Sequence, residues 1–319
     1  MHRLIKIFLK HTLIAFYKEK DTFLVQKIII KNKNIISEEE FQFNEEEFLN
    51  FIQSCFIENT QTYISTIIDT FNQGCVDSCS HSRYKEIGIN IENIKILCLK
   101  DYSIFIGLYE LNEFKKEIKK YQVDFVFSPY LIIDMNNKNT ANTLYLLITK
   151  TFIAVVIYQK PNIPLYSNIF QLKIETNNDS SLDEDTINDD IDDNIDDDIE
   201  LIEDIEDLDD LDDLNENIDE DIDDFNDIDN INDSSNNMQE DMSEIKNELE
   251  TLEFLKNSIK DYYESYSDEF LSDIHILYNE DISDKFIKNI KEETLLEVDT
   301  KKINILSYIN ELAKKETDV

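Results

Sequence analysis

Glycine and proline are nearly missing from this chain, with three of each in 319 residues, against average usage of roughly 7% and 5%. The shortage of glycine has chemical consequences. A loop that wraps backbone amides around a phosphate needs glycine for positive φ and close approach, and only Gly74, Gly88 and Gly107 are available. Cysteine is sparse too: Cys55, Cys75, Cys79 and Cys98 all fall in the first third. No secretory signal precedes them, because the apolar opening Met1–Tyr17 is broken by Arg3, Lys6 and Lys10 and lacks a small-residue cleavage site. The most hydrophobic run, Thr143–Tyr158, is about 16 residues and contains Lys150, whereas a spanning helix needs roughly 20. These absences predict a cytoplasmic protein with reduced thiols and no direct insertion into a membrane.

Basic residues are missing from one long segment. The net charge is −40, but there is no Lys or Arg from Ile174 to Ile245, and 31 of the 70 acidic residues lie between Asp179 and Asp241. The remaining 39 acids face 30 bases, a net of −9. The folded part is therefore mildly acidic, and the excess belongs to an insert.

Around that insert the apolar pattern is dense. Three short β-rich runs open the chain, Leu4–Leu9, Thr12–Tyr17 and Phe23–Ile30. A helical pattern follows over Asn44–Phe56, then a strand at Thr62–Ile68 and a Gly/Cys/Ser-rich loop at Asn72–Ser82. Ile94–Leu99 and Ser103–Tyr109 read as a hairpin, Glu110–Tyr121 as a surface helix, and Val123–Val126 as a short strand before a helix start at Ser128-Pro129. The theme then repeats. Leu144–Thr149, Thr151–Tyr158 and Pro164–Leu172 are again three β runs. Beyond the insert come a helix at Ser243–Tyr266, a strand at Ile274–Leu277, a helix at Ile282–Ile290, a strand at Leu295–Val298 and a helix at Lys302–Lys314.

A three-strand meander followed by alternating helix and strand, present twice, predicts an α/β fold of two actin-like, ribonuclease-H-like lobes, each a mixed sheet with helices. Residues 1–142 form the first lobe with a small inserted subdomain, 143–176 and 243–319 the second, and 177–242 a long disordered acidic insert.

Four segments carry a family resemblance: the meander LIKIFLKHTLIAFYKEKDTFLVQKI (Leu4–Ile28), VDFVFSPYLII (Val123–Ile133), TLYLLITKTFIAVVIYQKPNIPLYSNIF (Thr143–Phe170) and LEFLKNSIKDYYESYSDEFLSDIHIL (Leu252–Leu277). The chain resembles the actin-like cytoplasmic proteins of type IV pilus and type II secretion machines, the PilM and GspL cytoplasmic-domain group. The resemblance implies phosphate-binding loops in the first turn of each lobe, with the pattern D-x-G-[ST], and a Gly-Gly turn under an adenosine. Here the first turn is read as Phe8–Thr12 and the second as Ile148–Thr151, neither with an acid or a glycine. The third is read as Tyr278-Asn279-Glu280-Asp281, again without glycine. The expectation is no catalytic residue, no nucleotide or other cofactor, no metal and no small-molecule substrate. A degenerate ATPase would need Lys10 or Lys150 as a substitute cation. By resemblance, the function is that of a non-catalytic scaffold on the inner-membrane platform of a pilus, secretion or DNA-uptake machine. Its partners would be the tail of a single-span membrane protein and the assembly ATPase, which would hold it peripherally at the membrane.

Other constellations are weaker. Cys75-x3-Cys79-x-His81 permits zinc by ligand type and spacing, but a second close pair is missing, so small buried or loop thiols are the expected reading. Of the histidines, His2, His11, His81 and His275, the last sits in an apolar strand pattern as a core or edge residue. In the insert, apolar residues recur every three or four positions. Ile199, Ile202, Ile205, Leu208, Leu211 and Leu214 would line one helical stripe able to fold against a basic partner. Repulsion among carboxylates at i,i+4 makes a solvated linker the other reading, and an acidic regulatory binding module a competing function. The insert excludes nucleic acid as a partner, and without glycine it excludes calcium loops of the EF-hand kind.

Overall fold

The computed structural model describes residues 10–57, 61–138, 140–172, 231–266 and 269–318. Lobe 1 opens with β1 (Lys10–Glu19), β2 (Thr22–Lys31) and β3 (Asn34–Phe43), an antiparallel meander. Helix α1 (Glu45–Ile57) follows. It starts in a reciprocal capping box, in which Asn44 Oδ1 accepts from Glu47 N at 3.0 Å and Glu47 Oε2 accepts from Asn44 N at 3.1 Å. It leads into β4 (Gln61–Ile67), parallel to β1.

The inserted subdomain comprises β5 (Gln73–Val76), α2 (His81–Glu86), β6 (Ile94–Cys98) and β7 (Ser103–Gly107), with sheet order β5-β7-β6. Then α3 (Leu108–Ile118), β8 (Phe125–Phe127) and α4 (Pro129–Asn136) complete the lobe. Pro129 stands in the first turn behind the Ser128 cap, where its missing N–H costs nothing.

Lobe 2 repeats the plan with β9 (Thr143–Ile148), β10 (Phe152–Lys160), β11 (Ile163–Gln171), α5 (Ile231–Ser265), β12 (Asp273–Tyr278), α6 (Asp284–Thr294), β13 (Glu297–Lys302) and α7 (Ile305–Thr317). The two main sheets run β3-β2-β1-β4-β8 and β11-β10-β9-β12-β13. In each, the first three strands are antiparallel and the last two are parallel to the first. That order, found twice, defines two actin-like, ribonuclease-H-like lobes.

Each lobe ends in a helix that packs on the other. Helix α4 lies on β9 and β10, and α7 lies on β1, β2 and β4. The central core between the sheets accordingly mixes both lobes, with Ala15, Tyr17 and Tyr130 beside Leu147, Ala154, Ile309 and Ala313. The outer face of sheet 1 buries Ile14, Phe16 and Phe23 under α1 and α3, and that of sheet 2 buries Leu146, Val155 and Ile276 under α5 and α6. Strands β9 and β10 are covered on both sides, which is why they read as continuous apolar runs.

Several sequence expectations are corrected. The lobe 1 meander is shifted along the chain: Thr12–Tyr17 and Phe23–Ile30 are its first two strands, and the third is Asn34–Phe43. Leu4–Leu9 lies outside the described residues. The loop expected at Asn72–Ser82 contains β5. Helix α5 begins at Ile231 rather than Ser243.

Candidate functional site

The carboxyl ends of β1, β4, β9 and β12 converge between the lobes, and in open α/β sheets ligands bind outside such strand ends. Four short segments meet there: the β1–β2 turn, the residues after β4, the β9–β10 turn and the residues after β12. The turns expected at Ile148–Thr151 and Tyr278–Asp281 fall where the sequence puts them, after β9 and β12. The first does not. Its turn is Glu19–Thr22, not Phe8–Thr12, because β1 extends through Lys10 and His11. This turn does carry acids, Glu19 and Asp21, though no glycine, and Lys20 takes the left-handed conformation instead, at φ 53°. Lys10, at the opposite end of a ten-residue strand, is removed from the site; the strand spans roughly 30 Å.

The β9–β10 turn is organised by its own threonine. Thr149 Oγ1 accepts from Thr151 N at 3.3 Å and Phe152 N at 3.0 Å, and donates to the Phe152 carbonyl at 2.8 Å. Across the lobe boundary the Tyr17 hydroxyl bonds to Thr149 Oγ1 at 3.2 Å and to Thr151 Oγ1. Thr151 Oγ1 in turn donates to Asp69 Oδ2 at 3.3 Å. The chain Tyr17–Thr151–Asp69 thus ties β1 and the end of β4 in lobe 1 to the first turn of lobe 2. Burial pushes the Tyr17 phenol well above its ordinary range, helped by the Asp69 charge, and burial also raises the Asp69 carboxyl.

Lys150 occupies the middle of the same turn. Its Nζ lies 3.6 Å from Glu19 Oε2 of lobe 1 and 3.5 Å from Glu280 Oε2 after β12. Burial works against the ammonium, but the two carboxylates outweigh it and raise its pKa. Glu19 is itself raised, by burial first, with Lys150 opposing; its Oε1 is buried without a hydrogen-bond partner. The third element is turned inward by Asn279, whose N donates to the Ile148 carbonyl at 3.1 Å and whose Oδ1 accepts from Ile305 N at 2.9 Å. The three turns are therefore linked to one another through Lys150 and Asn279.

Beside this cleft runs a groove of about 630 Å³ lined by Tyr17, Lys18, Lys20, Ile67, Asp69 and, along α3, Tyr109, Glu113, Phe114 and Glu117. Tyr109 is 74% exposed on its rim. The sequence pointed to the turn that holds Glu280, but to neither the groove nor Tyr17 and Asp69, because their partners lie far away in the chain.

The remaining candidates separate. Cys79 and Cys98 are joined in a disulfide, Cα–Cα 5.6 Å, which corrects the expectation of four reduced thiols. Cys55 and Cys75 are free, and burial raises the Cys75 thiol well above its ordinary range. Among the described residues no three potential metal ligands gather, so Cys75, Cys79 and His81 do not form one cluster. His275 is half-buried on β12, between β9 and β13, its Nδ1 3.2 Å from Asp299 Oδ2. Ile199, Ile202, Ile205, Leu208, Leu211 and Leu214 lie outside the described residues. Among the described residues no helix is long and apolar enough to cross a membrane.

Strand order and cleft define a two-lobed protein of the actin-like class. The chain belongs to the family described as Domain of unknown function (DUF8341), whose family model matches residues 144–318, and a second, Domain of unknown function (DUF8569), matches residues 8–134. No curated protein matches. Among solved structures, the chain is similar to a protein of actin-like ATPase fold and unknown function from Bacteroides thetaiotaomicron, at 12% identity and TM-score 0.46 over 98% of both chains. It is also similar to a structure of the PilM-PilN type IV pilus biogenesis complex, at 7% identity and TM-score 0.46 over 93% of this chain and 88% of that one. The ethanolamine utilization protein EutJ from Carboxydothermus hydrogenoformans aligns at 6% identity and TM-score 0.36, over 91% and 84%.

Proposed function

We propose that this chain is a non-catalytic, actin-like scaffold that binds the tail of a single-span membrane protein at the cytoplasmic face of a pilus, secretion or DNA-uptake platform. The observation that carries the non-catalytic reading is the self-bonded cleft. A triphosphate there would have to displace the Tyr17–Thr149–Thr151 contacts and take Lys150 from two carboxylates. It would then face Glu19, Asp69 and Glu280. One carboxylate about 4 Å from a phosphate charge costs roughly 4 kcal/mol at an effective dielectric near 20, and no glycine-bearing turn supplies amides to offset it. The setting at a membrane platform follows from the sequence resemblance.

We assign the tail to the groove along α3. Its lining carries four acids, Asp69, Glu110, Glu113 and Glu117, against three lysines, Lys18, Lys20 and Lys116, over an apolar floor. That balance fits a short, weakly basic, apolar segment. Affinity capture from solubilised membranes should recover a single-span inner-membrane component together with an assembly ATPase, and Tyr109→Ala should weaken the recovery. Recovery of soluble housekeeping proteins alone, unchanged by the substitution, would sink this reading.

A further inference from the structure

The inserted subdomain has a thin core. Between Gln73 and Gly107 its buried apolar side chains are Val76, Tyr84, Tyr102 and Ile104, tied by the Tyr84 hydroxyl to Ser103 Oγ at 2.7 Å and by Ser103 Oγ donating to the Ser78 carbonyl at 2.6 Å. A unit below about 40 residues does not hold itself together by apolar burial alone. Beyond Tyr102 and Ile104, which join the central core, and Gln73, which accepts from Ser128 Oγ and the Tyr130 hydroxyl, two further attachments supplement it. One is docking on lobe 2, where Cys75 N donates to Ser167 Oγ at 2.7 Å. A Cβ on Gly74 would come within 2.9 Å of the Phe105 ring and 3.1 Å of Ser167 Oγ, so any larger residue would crowd the β7 ring and press on the lobe 2 contact.

The other attachment is covalent. Cys79, on the loop entering α2, is bonded to Cys98, the last residue of β6, closing a span of 19 residues. Their Cα separation of 5.6 Å is within the range a disulfide requires. The pair lies at the periphery: Cys98 is exposed and Cys79 half-buried, whereas Cys55 is fully buried and the half-buried Cys75, beside Ser167, has its thiol raised by burial. Accessible disulfides exchange readily with solution thiols, and buried thiols of raised pKa do not.

We propose that Cys79 and Cys98 are a reversible thiol–disulfide exchange site for low-molecular-weight disulfides of the glutathione type, and that its state sets the order of the β5-β7-β6 subdomain. In the forward direction the exposed Cys98 thiolate attacks one sulfur of oxidised glutathione. Its S–S bond breaks and one glutathione thiolate leaves, taking up a proton. The Cys79 thiolate then attacks the Cys98 sulfur of the mixed disulfide and releases the second glutathione. Two electrons pass from the cysteine pair to glutathione disulfide, yielding two glutathione thiols. Strand β7 runs directly into α3 through Gly107, so the bond also steadies the helix that walls the groove. The proposal does not rest on the platform reading.

The test uses the full chain equilibrated in glutathione buffers of graded ratio, quenched in acid, alkylated and weighed intact and after digestion. One reversible two-electron transition confined to Cys79 and Cys98 is expected, with Cys55 and Cys75 staying as thiols. Hydrogen exchange across residues 73–107 should rise on reduction, by on the order of a hundredfold in opening equilibrium for a loop of this length. Cys79→Ser/Cys98→Ser should exchange like the reduced protein in every buffer. A pair that remains dithiol in fully oxidised glutathione, or stays bonded in excess reduced glutathione, overturns the exchange site. Equal exchange in both states overturns the link to order.

Discussion

Lys150 Nζ, at the tip of the β9–β10 turn, stands 3.6 Å from Glu19 Oε2 at the end of β1, so an ion pair crosses the lobe boundary where the two first hairpins face each other. Lys150 is about half exposed and Glu19 is not, so the pair is screened on one side only. Lys150→Met should lower unfolding free energy by about 0.5–1 kcal/mol, the scale of a partly exposed pair. In a double-mutant cycle with Glu19→Gln, chemical denaturation should give a coupling energy clearly different from zero. Strictly additive effects would mean that the pair does not hold the lobes.

Asp69 offers a test by pH. Burial holds its carboxyl above the ordinary range despite the bond from Thr151, so the folded chain binds that proton more tightly than the unfolded one. The associated stability is full below the ordinary carboxylate range and is lost as pH rises through the folded value. Asp69→Asn keeps an acceptor for Thr151 and removes the charge. The variant should be more stable than the parent at neutral pH, with the advantage shrinking as pH is lowered toward about 4. Urea titrations across that range decide it, and a variant less stable at neutral pH contradicts the assignment.

The exchange of terminal helices has a polar checkpoint. Buried Asn310 of α7 donates to the Gln26 carbonyl at 3.2 Å and to Gln26 Oε1 at 3.0 Å, while Gln26 Nε2 donates to Ser307 Oγ at 2.9 Å. Asn310→Leu leaves Gln26 acceptors unsatisfied inside the molecule and should cost about 2–3 kcal/mol. Thermal unfolding measures it; a neutral substitution would mean that α7 is not seated on β2 as described.

How far the sequence could be read depended on which faces of each element are buried. Strands β9 to β11 and the Ser128-Pro129 helix start were legible because both sides of β9 and β10 are covered and the cap is local. Strand β3 was not, because an edge strand carrying Ser37–Glu40 shows water on most positions and no alternation. That omission moved the whole first meander toward Leu4 and misplaced the first turn, hiding Glu19 as its acid. The β9–β10 turn is legible from the strands on either side of it. Its partners Tyr17, Asp69 and Glu280 lie 132, 82 and about 130 positions away, a range at which no local pattern carries information. The disulfide is not legible for a different reason: Cys79 and Cys98 become neighbours only once β6 pairs with β7 beside β5.

Calorimetric titration of the full chain with Mg-ATP tests the central claim most directly, because it asks whether the cleft between the β1–β2 and β9–β10 turns is already filled by Tyr17, Glu19 and Lys150. The account predicts no heat of binding up to millimolar nucleotide, in the parent and in Lys150→Met alike. Saturable binding below a millimolar, lost on replacing Lys150, would contradict it.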